Sequence, residues 1–491
     1  MAAAGKADLL IKNARLIDGS GGPSVKGDLG VRGDRILAVG PGLQLEAAQT
    51  IDARGKALSP GFIDVHTHDD RAVLVDPLMK CKTSQGCTTV VTGNCGVSLA
   101  PLAIDRRPPA PMDLICAEPS GFYERFADYM MALDAEPPAV NVLAQVGHGT
   151  LRLGAMRSLE RTASADEIKV MRGRLEESLD AGAVGMSTGL FYPPAAAATT
   201  DEVIAIGQAL MKTAAMHSTH MRDEGEKVLD SLQETFTIGR GMRAPVVVSH
   251  HKCSGAAAHG RSVDTLALID AARATQPVGL DAYPYVAGST MLNSPRMLQS
   301  SKIIVTWSQT RPNFAGRDLD EVAKEMGTDR AGAVERLVPA GGIFFMMDEK
   351  DVQRILKYEH TMVGSDGLPH DLHPHPRLWG TFPRVLGHYV RDIGLFTLEE
   401  AVRKMTGLPA AQFGLTDRGR LRAGAYADLV LFDPETVADL ATFEKPTTPS
   451  AGIERVYVNG RAVWQDGRAT GTRSGRALRR QQLGTFGAPM R

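Results

Sequence analysis

The sequence predicts an α/β protein in which a TIM-like (β/α)8 barrel carries a small β-sandwich formed by both chain termini and an inserted lid segment. Length is the first observation, because 491 residues exceed one ordinary core but accommodate a barrel of roughly 250 or more residues with a smaller module. Strand-like and helix-like patterns alternate through the middle of the chain, as βα units around a parallel sheet require. The two ends instead share short alternating runs that are broken by glycine-rich turns.

The two terminal segments, 1–60 and 416–480, together predict one β-sandwich domain. The runs that predict strands lie at 9–17, 35–39 and 427–432. A further segment, 456–464, carries Asn459 and Gly460 between two apolar runs, which is the signature of a tight hairpin. Neither end has enough strands to close a core alone, so we expect both to contribute to the same sandwich.

The middle of the chain, residues 61–415, predicts the barrel, and residues 481–491 are left as a C-terminal tail. Helix start signals, with Ser or Thr followed three residues later by Glu, recur at 164–167, 199–202 and 397–400. From about residue 284 to 342 the βα rhythm fades into a Met-, Ser- and Arg-rich stretch with one helical piece at 319–337. We interpret this stretch as an insertion near the barrel mouth that acts as a lid.

The composition of the chain limits the classes of molecule that the protein is expected to bind. The formal net charge is -1, from 55 basic and 56 acidic residues without a long like-charge block, which argues against a nucleic-acid footprint. No apolar run approaches the roughly 18 residues of a membrane span, and the start of the chain leads directly into a strand pattern. Five sparse cysteines argue against a disulfide framework. We therefore expect a cytoplasmic enzyme with a small-molecule partner; the oligomeric state cannot be predicted.

The strongest functional signal is the pair His66 and His68 at the end of an apolar run. Residues two apart on a strand point to the same side, so both imidazoles can approach one metal ion. Four later apolar, β-rich runs also end on residue types that bind metals, namely Cys95, His220, His250 and Asp366. Because barrel enzymes assemble their sites at the carboxyl ends of strands, the ordered set predicts a single metal site.

The other histidines fit this set less well. A single histidine is more often structural, and His251 should point to the opposite strand face from its neighbour. His217 has the wrong spacing from His220, and the role of His148 stays open. The histidines 370, 373 and 375 are interleaved with prolines and predict a loop that closes over the site. Cys87 and Cys253 are interpreted as buried thiols, and the alternative for Asp366 is a helix cap.

The ligand order, together with the segments 60–64 and 424–430, resembles the amidohydrolase superfamily and, within it, the zinc-dependent D-aminoacylases, which are N-acyl-D-amino-acid deacylases. The segment 93–96 is the most specific element, because many amidohydrolases have a carboxylated lysine where this branch resembles enzymes with a cysteine thiolate. The resemblance implies one tight Zn²⁺ at Cys95, His220 and His250 and a second, weaker ion at His66 and His68 with Asp366 nearby, sharing Cys95. Asp366 is the candidate acid-base catalyst.

The implied substrate is a small N-acyl amino acid, whose free carboxylate needs a cationic partner. Lys252 and Arg377 are spaced to reach it, and hydroxyl donors could come from Tyr192, Tyr283 and Ser289. The apolar run 342–347 suits an apolar substrate side chain, although it could equally be a buried strand.

Three functions remain open on the sequence. The favoured one is hydrolysis of N-acyl-D-amino acids with side chains such as Leu, Met or Phe, where the D hand is implied by the resemblance alone. The second keeps the chemistry but changes the substrate to an acidic N-acyl-D-amino acid, supported by cations such as Arg296 or Lys302, or to a cyclic amide. The third is a non-enzymatic barrel, against which the complete ligand set argues.

Overall fold

A computed structural model describes residues 6–213, 215–292 and 297–487 of the chain. The β-strands in these residues are β1 (Ala7–Leu16), β2 (Val25–Arg32), β3 (Arg35–Gly40), β4 (Ala47–Asp52), β5 (Ala57–Pro60), β6 (Phe62–Asp64), β7 (Cys87–Thr92), β8 (Asn141–Ala144), β9 (Val146–Gly147), β10 (Gly185–Gly189), β11 (Met216–His220), β12 (Val246–Val248), β13 (Val278–Ala282), β14 (Ala287–Met291), β15 (Lys302–Ser308), β16 (Ala340–Phe345), β17 (Thr361–Val363), β18 (Leu429–Phe432), β19 (Ile453–Val458), β20 (Arg461–Gln465) and β21 (Arg468–Ala469).

The α-helices in the same residues are α1 (Ala72–Val75), α2 (Lys80–Thr83), α3 (Phe126–Ala135), α4 (His148–Ala155), α5 (Ala165–Asp180), α6 (Pro193–Ala196), α7 (Thr200–Gly207), α8 (Val228–Met242), α9 (Ser262–Arg273), α10 (Leu319–Glu325), α11 (Arg330–Leu337), α12 (Glu349–Lys357), α13 (Arg377–Arg384), α14 (Leu398–Met405) and α15 (Gly407–Gln412). A π-helical turn, Val385–Asp392, continues α13. Short 3-10 turns lie at Met112–Leu114, Pro119–Gly121, Gln208–Lys212, Ala256–Ala258, Met297–Gln299, Pro312–Phe314 and Arg480–Gln482.

The parallel strands form the predicted barrel. One ladder has the order β6-β7-β8, and a second has the order β9-β10-β11-β12-β13-β17. Only Gln145 separates β8 from β9, so these two act as one strand with a break. The ring closes where Thr67 and Gly367 form a parallel bridge and the Asp366 backbone N–H donates to the His66 carbonyl at 2.8 Å. All strands therefore end at one face of the ring.

The predicted helix starts are confirmed. Ser164 caps α5 and forms a reciprocal capping box with Glu167. Thr199 accepts a hydrogen bond from the Glu202 backbone N–H at the start of α7, and Thr397 does the same from Glu400 at the start of α14. These bonds satisfy backbone donors that a helix leaves free in its first turn, which is why the pattern can be read from the sequence.

Strands from both termini join in a single sheet of order β21-β20-β19-β18-β5-β1-β2-β3, with β4 paired in parallel to β1. We name it the terminal sheet. Side chains on one face of this sheet pack together in an apolar core that includes Ile11, Leu29 and Leu431. The other face, including Trp464, packs against the helices α13 and α14. The predicted hairpin is the turn between β19 and β20.

The stretch that interrupts the βα rhythm contains a separate antiparallel sheet of order β14-β16-β15, covered by α10 and α11. The predicted single helical piece is thus two helices, because Asp329 caps a second start inside it. The apolar run at its exit is the buried strand β16, as one of the two sequence interpretations expected. The domain boundaries predicted from the sequence stay a prediction.

Two further expectations from the sequence concern disulfide bonds and membrane-spanning helices. All five cysteines are free thiols and buried. Among the described residues, no helix combines the length and apolar character needed to cross a membrane.

Candidate metal centre and substrate cavity

The five ligands predicted from the sequence and the predicted catalyst Asp366 meet at the face of the barrel where the strands end. Five of these six residues lie two to four positions beyond the ends of strands β6, β7, β12 and β17, namely His66, His68, Cys95, His250 and Asp366. The sixth, His220, is the last residue of β11. All six side chains are buried. The structure thus brings together residues that are separated by hundreds of positions in the chain.

Cys95 lies at the centre of this group. Its Sγ is 3.2 Å from His66 Nε2 and 3.3 Å from His250 Nε2. The His220 ring centroid is 4.5 Å from that of His250. On the other side, His68 Nε2 is 3.1 Å from Asp366 Oδ1. Donor atoms of His66, Cys95, His250 and Asp366 all lie within 4.8 Å of one another, which is the convergence that a metal ion needs.

Three of these residues have left-handed backbone angles. The φ values are 54° at Cys95, 36° at His250 and 50° at Asp366. Non-glycine residues pay roughly 1–3 kcal/mol for such a conformation, so surrounding contacts must hold it. For His250 one such contact is visible, because its backbone N–H donates to Asp281 Oδ1 at 2.9 Å. The backbone at each site turns sharply, which aims the side chain into the centre.

The electrostatics of Cys95 favour a thiolate. Burial alone would raise the pKa of its thiol, but the His66 and His250 rings outweigh that effect and hold the pKa well below its ordinary value. A thiolate is the form of cysteine that binds metals. Together with the imidazole nitrogens of the histidines beside it, this thiolate forms the donor set that zinc prefers.

Asp366 is held as a carboxylate. Burial would raise its pKa, but the Arg377 guanidinium and the nearby histidines keep the pKa well below its usual range. Arg377 Nη1 lies 2.9 Å from Asp366 Oδ2. The helix that follows, α13, begins at Arg377 with Pro376 at its cap position, so the alternative of a helix cap for Asp366 is wrong.

A cavity, which we name the substrate cavity, opens beside the candidate ligands. Four predicted substrate contacts line it, namely Tyr192, Lys252, Tyr283 and Ser289. Phe191, Met297 and Met346 supply apolar surface in the same cavity. The fifth predicted contact, Arg377, lies behind Asp366, with its guanidinium carbon 4.6 Å from the Tyr283 ring centroid and its Nη2 donating to the Ser289 carbonyl at 3.2 Å.

A family model described as "Amidohydrolase family" matches residues 49–464. This match spans most of the chain, including the barrel and every candidate ligand described above. The chain belongs to the amidohydrolase family. The resemblance predicted from the ligand order is therefore confirmed.

Similar proteins narrow the branch of the family. A D-aminoacylase from Alcaligenes xylosoxydans xylosoxydans is 58% identical over 96% of this chain and 98% of its own length. Two solved D-aminoacylase structures are 56% identical to this chain and superpose on it with a TM-score of 0.95. Each match covers 96% of this chain and 100% of the other. One of the two structures is described for a binuclear metal centre with one-metal activation and second-metal attenuation. An N-acyl-D-glutamate deacylase from Bordetella bronchiseptica was solved with zinc and a phosphonate mimic of the tetrahedral intermediate. It is 46% identical to this chain, with a TM-score of 0.93, and the match covers 97% of this chain and 100% of the deacylase chain.

One charged residue of this amidohydrolase site was missed from the sequence. Glu224 Oε1 is 3.0 Å from His250 Nδ1 and 2.7 Å from Lys252 Nζ, and its Oε2 is 3.7 Å from His220 Nε2. Lys252 and both histidines overcome the effect of burial and hold the pKa of Glu224 well below its ordinary value. Glu224 lies in a polar loop after β11, and the composition of that loop indicates only that its side chains are exposed to solvent. Its spacing four residues beyond His220 was the available signal.

A second missed group lies beneath the ligands. Lys82 is fully buried, with Nζ 2.8 Å from Asp64 Oδ2, 2.8 Å from Ser365 Oγ and 3.3 Å from Asp69 Oδ2. Asp64 Oδ1 in turn accepts the Ser365 backbone N–H at 2.8 Å. These contacts tie the end of β6 to the end of β17 and so fix His66 relative to Asp366.

The remaining histidines lie outside the ligand group. His217 Nε2 is 3.0 Å from Thr188 Oγ1, and His251 Nε2 is 2.9 Å from Thr265 Oγ1. His148 is buried with Nε2 3.5 Å from Glu202 Oε1. In the proline-rich loop, His373 Nε2 is 2.7 Å from the Phe443 carbonyl and His375 Nε2 is 3.0 Å from the Ala287 carbonyl. That loop therefore packs against the inserted sheet rather than joining the ligands.

Proposed function

We propose that this protein hydrolyses N-acyl-D-amino acids with apolar side chains, such as Leu, Met and Phe, to a carboxylate and a free D-amino acid. The observation that carries the proposal is one cavity in which a buried cation, a carboxylate and a thiolate-centred ligand group converge beside apolar side chains. The D-aminoacylase and N-acyl-D-glutamate deacylase relatives support the reaction class and the D hand.

Zinc is the metal that we assign to the site. Cys95, His220 and His250 would hold one ion tightly, and His66 and His68 would hold a second ion more weakly next to Asp366 while sharing Cys95. When bound, zinc supplies a Lewis acid that polarises the amide carbonyl and lowers the pKa of a water molecule. The zinc in the N-acyl-D-glutamate deacylase structure supports this choice of metal.

Asp366 carries the proton transfers. Because its pKa is held low, the side chain is a carboxylate at neutral pH and can accept a proton from the attacking water. The same oxygen can then deliver that proton to the amine nitrogen as the C–N bond breaks. Arg377 holds Oδ2 of Asp366 at 2.9 Å, while Oδ1 faces His68 at 3.1 Å and His66 at 3.5 Å.

Lys252 binds the substrate carboxylate. Its ammonium lies at the wall of the substrate cavity and is held by Glu224, which also fixes His250. Tyr283 adds a donor, since burial raises the pKa of its hydroxyl to about 12 and keeps it protonated. Tyr192 and Ser289 supply further hydroxyls at the same wall. Arg377 stays a predicted carboxylate contact, and its measured contacts favour an added role in orienting Asp366.

The apolar preference rests on what surrounds the cavity. Met297, Met346 and Phe191 are flexible or flat apolar surfaces suited to a hydrocarbon side chain. An acidic side chain would need another cation, but Lys302 is exposed and its Nζ lies 5.8 Å from the Phe345 ring centroid on the inserted sheet. The other cation considered for that role, Arg296, lies outside the described residues.

A chiral hydrolysis screen tests the proposal. The zinc-loaded protein is assayed with the N-acetyl derivatives of D- and L-Leu, Met, Phe, Glu and Asp, and each free amino acid is quantified. We expect the D-Leu, D-Met and D-Phe derivatives to react fastest. A preference for Glu and Asp would overturn the apolar assignment, and equal or faster turnover of the L series would overturn the reaction itself.

A further inference from the structure

The short helix α6 follows directly on one wall of the substrate cavity. Phe191 and Tyr192, the two residues before this helix, both line the cavity. The Phe191 ring stacks on the His220 ring, with 5.5 Å between the centroids and 27° between the planes, and the Tyr192 ring centroid lies 4.8 Å from that of His220. The Tyr192 hydroxyl oxygen lies 3.2 Å from Thr290 Oγ1 in β14. The position of α6 therefore decides where this aromatic wall stands relative to a candidate ligand.

Helix α6 has few hydrogen bonds of its own to hold that position. It spans four residues, and the first two are prolines, which have no backbone N–H. Helices of this length are unstable in water by themselves. The last four carbonyl groups of any helix lack partners within the helix. The carbonyl groups of α6 therefore depend largely on partners from other parts of the chain.

Two guanidinium groups supply such partners. Arg152 Nε donates to the Pro194 carbonyl at 2.7 Å. Arg222 Nη1 donates to the Ala196 carbonyl at 2.8 Å, and its Nη2 donates to the Ala198 carbonyl at 2.9 Å. The first arginine comes from α4 and the second from the loop after β11, so two separate elements hold α6. We name Arg152 and Arg222 the arginine clamp.

Each arginine of the clamp is itself fixed by a carboxylate. Arg152 is fully buried and pairs through Nη1 with Glu202, which is also buried. Arg222 is one-third exposed, and its Nε and Nη2 donate to the two carboxylate oxygens of Glu234 in α8 at 3.0 Å and 2.9 Å. Neither arginine is among the described residues that line the substrate cavity. With their charges paired and their other donors on backbone carbonyls, both residues hold the chain rather than a substrate.

We propose that Arg152 and Arg222 are positioning residues that hold Phe191 and Tyr192 against His220 through the carbonyl groups of α6. The inference rests on the deacylase function proposed above, and it adds residues outside the cavity that determine how tightly the substrate is bound. Without the clamp the aromatic wall loses its fixed place, so the bound substrate and the transition state lose the same contacts. A loss of that kind raises KM and leaves kcat nearly unchanged.

Arg222→Met is the variant to test first, because Arg152→Met would leave the buried Glu202 carboxylate without its cation. Steady-state kinetics of zinc-loaded protein are measured with N-acetyl-D-methionine and with its amide. We expect KM to rise roughly 10-fold for both substrates, because two hydrogen bonds from a charged donor are lost. Both kcat, within about threefold, and zinc content should match the parent. A rise for the acid alone would mean that Arg222 binds the substrate carboxylate itself, which would overturn the positioning role.

Two further variants complete the comparison. Arg222→Lys can keep the pair with Glu234 but cannot reach two carbonyl groups and a carboxylate at once, so it should show the same direction of change and decides the test if Arg222→Met does not fold. Arg172→Met is the matched control, because Arg172 Nε donates at 2.7 Å to the Ala205 carbonyl of α7, outside the described cavity lining. The KM of this control should stay within about twofold of the parent.

A double-mutant cycle tests whether the effect passes through the aromatic wall. In a protein that carries Phe191→Ala and Tyr192→Ala, adding Arg222→Met should change KM by less than about twofold, because the wall is already absent. A protein too slow for kinetics is titrated with N-acetyl-D-methionine, since the substrate then survives the titration. A further rise of about 10-fold in that background, or an unchanged KM in Arg222→Met alone, would overturn the proposal while the deacylase function stands. A parent that hydrolyses no N-acyl-D-amino acid would instead reject the function, and the clamp's role in it.

Discussion

The barrel mouth and the terminal sheet both contain left-handed residues, but of different kinds. In the terminal sheet they include Asn459 and Asp466, with φ of 50° and 52°, in turns between strands. Asn and Asp tolerate this region because their short polar side chains bond locally, and type I′ hairpin turns require it. At the barrel mouth the left-handed residues are Cys95, His250 and Asp366, and no turn type favours a cysteine or a histidine at a left-handed position. A left-handed backbone angle thus reverses the chain in the terminal sheet, whereas at the barrel mouth it directs candidate ligand side chains toward the centre of the site.

The two regions also bury different groups. The cores on both faces of the terminal sheet are apolar, and ion pairs such as Arg476 with Asp34 lie near its surface. The pair Arg418–Asp428, next to the start of β18, is the buried exception among the described residues. The mouth buries Lys82, Arg377 and Asp366 with their partners. A change in the mouth should therefore alter function or cost much stability, while a comparable change in the terminal sheet should alter stability a little.

The largest expected effect comes from Asp366→Asn. The substitution keeps the volume but removes the proton acceptor, so kcat should fall about 10²–10⁴-fold with zinc retained. Asp466→Asn is the matched control, because it makes the same change at the same backbone angle in an exposed turn. Its kcat should equal that of the parent. A variant at 366 that turns over within a fewfold of the parent would remove Asp366 from the mechanism.

Lys82→Met should have the next largest effect. It leaves Asp64 and Asp69 buried without their cation, which should cost on the order of 3–5 kcal/mol in free energy of unfolding. Lys56→Met in the terminal sheet, where the lysine pairs with Glu454 near the surface, should cost about 0–1 kcal/mol. Denaturant unfolding of zinc-loaded proteins measures both. Equal losses in the two variants would contradict the contrast between the regions.

Substrate recognition should give an intermediate effect. Replacing Lys252 by Met removes a charge-assisted contact worth on the order of 1.5–3 kcal/mol, or roughly 10- to 150-fold in kcat/KM. The loss should appear for an N-acyl-D-amino acid and not for its amide, which carries no anion. Arg377→Met should show the same ratio effect together with a fall in kcat on both substrates, since Arg377 also contacts Asp366. An unchanged acid to amide ratio in both variants would reopen the substrate class.

The smallest effect is expected in a turn of the terminal sheet. Gly467 has φ of 76°, and an added Cβ would meet nothing within 4 Å, so Gly467→Ala tests the backbone alone. It should cost about 1–2 kcal/mol and leave kcat and zinc content unchanged. Gly173→Ala, in the exposed interior of α5, should instead stabilise by about 0.5–1 kcal/mol. Opposite signs for one chemical change would confirm that φ decides the outcome.

The same contrast explains what the sequence could predict. Hairpin turns and helix caps are local patterns, so the β19–β20 turn and the cap at Ser164 were predicted correctly. The candidate ligands were found as strand-end residues, and the structure brings their side chains together, while their roles stay a prediction. Lys82 was missed because its partner Ser365 lies 283 positions away, and nothing near Lys82 in the chain marks it as buried. Glu224 was missed because a glutamate in a polar loop ordinarily faces water.

The role of Cys95 is the central claim, and zinc analysis of purified protein tests it most directly. The parent should retain about one zinc per chain after mild chelation, whereas Cys95→Ala should lose it, because a thiolate with two imidazoles forms the tight site. Cys87→Ala, at the start of the same strand β7 but in the apolar core, is the control and should keep its zinc. A full zinc complement in Cys95→Ala would contradict the assignment of this site.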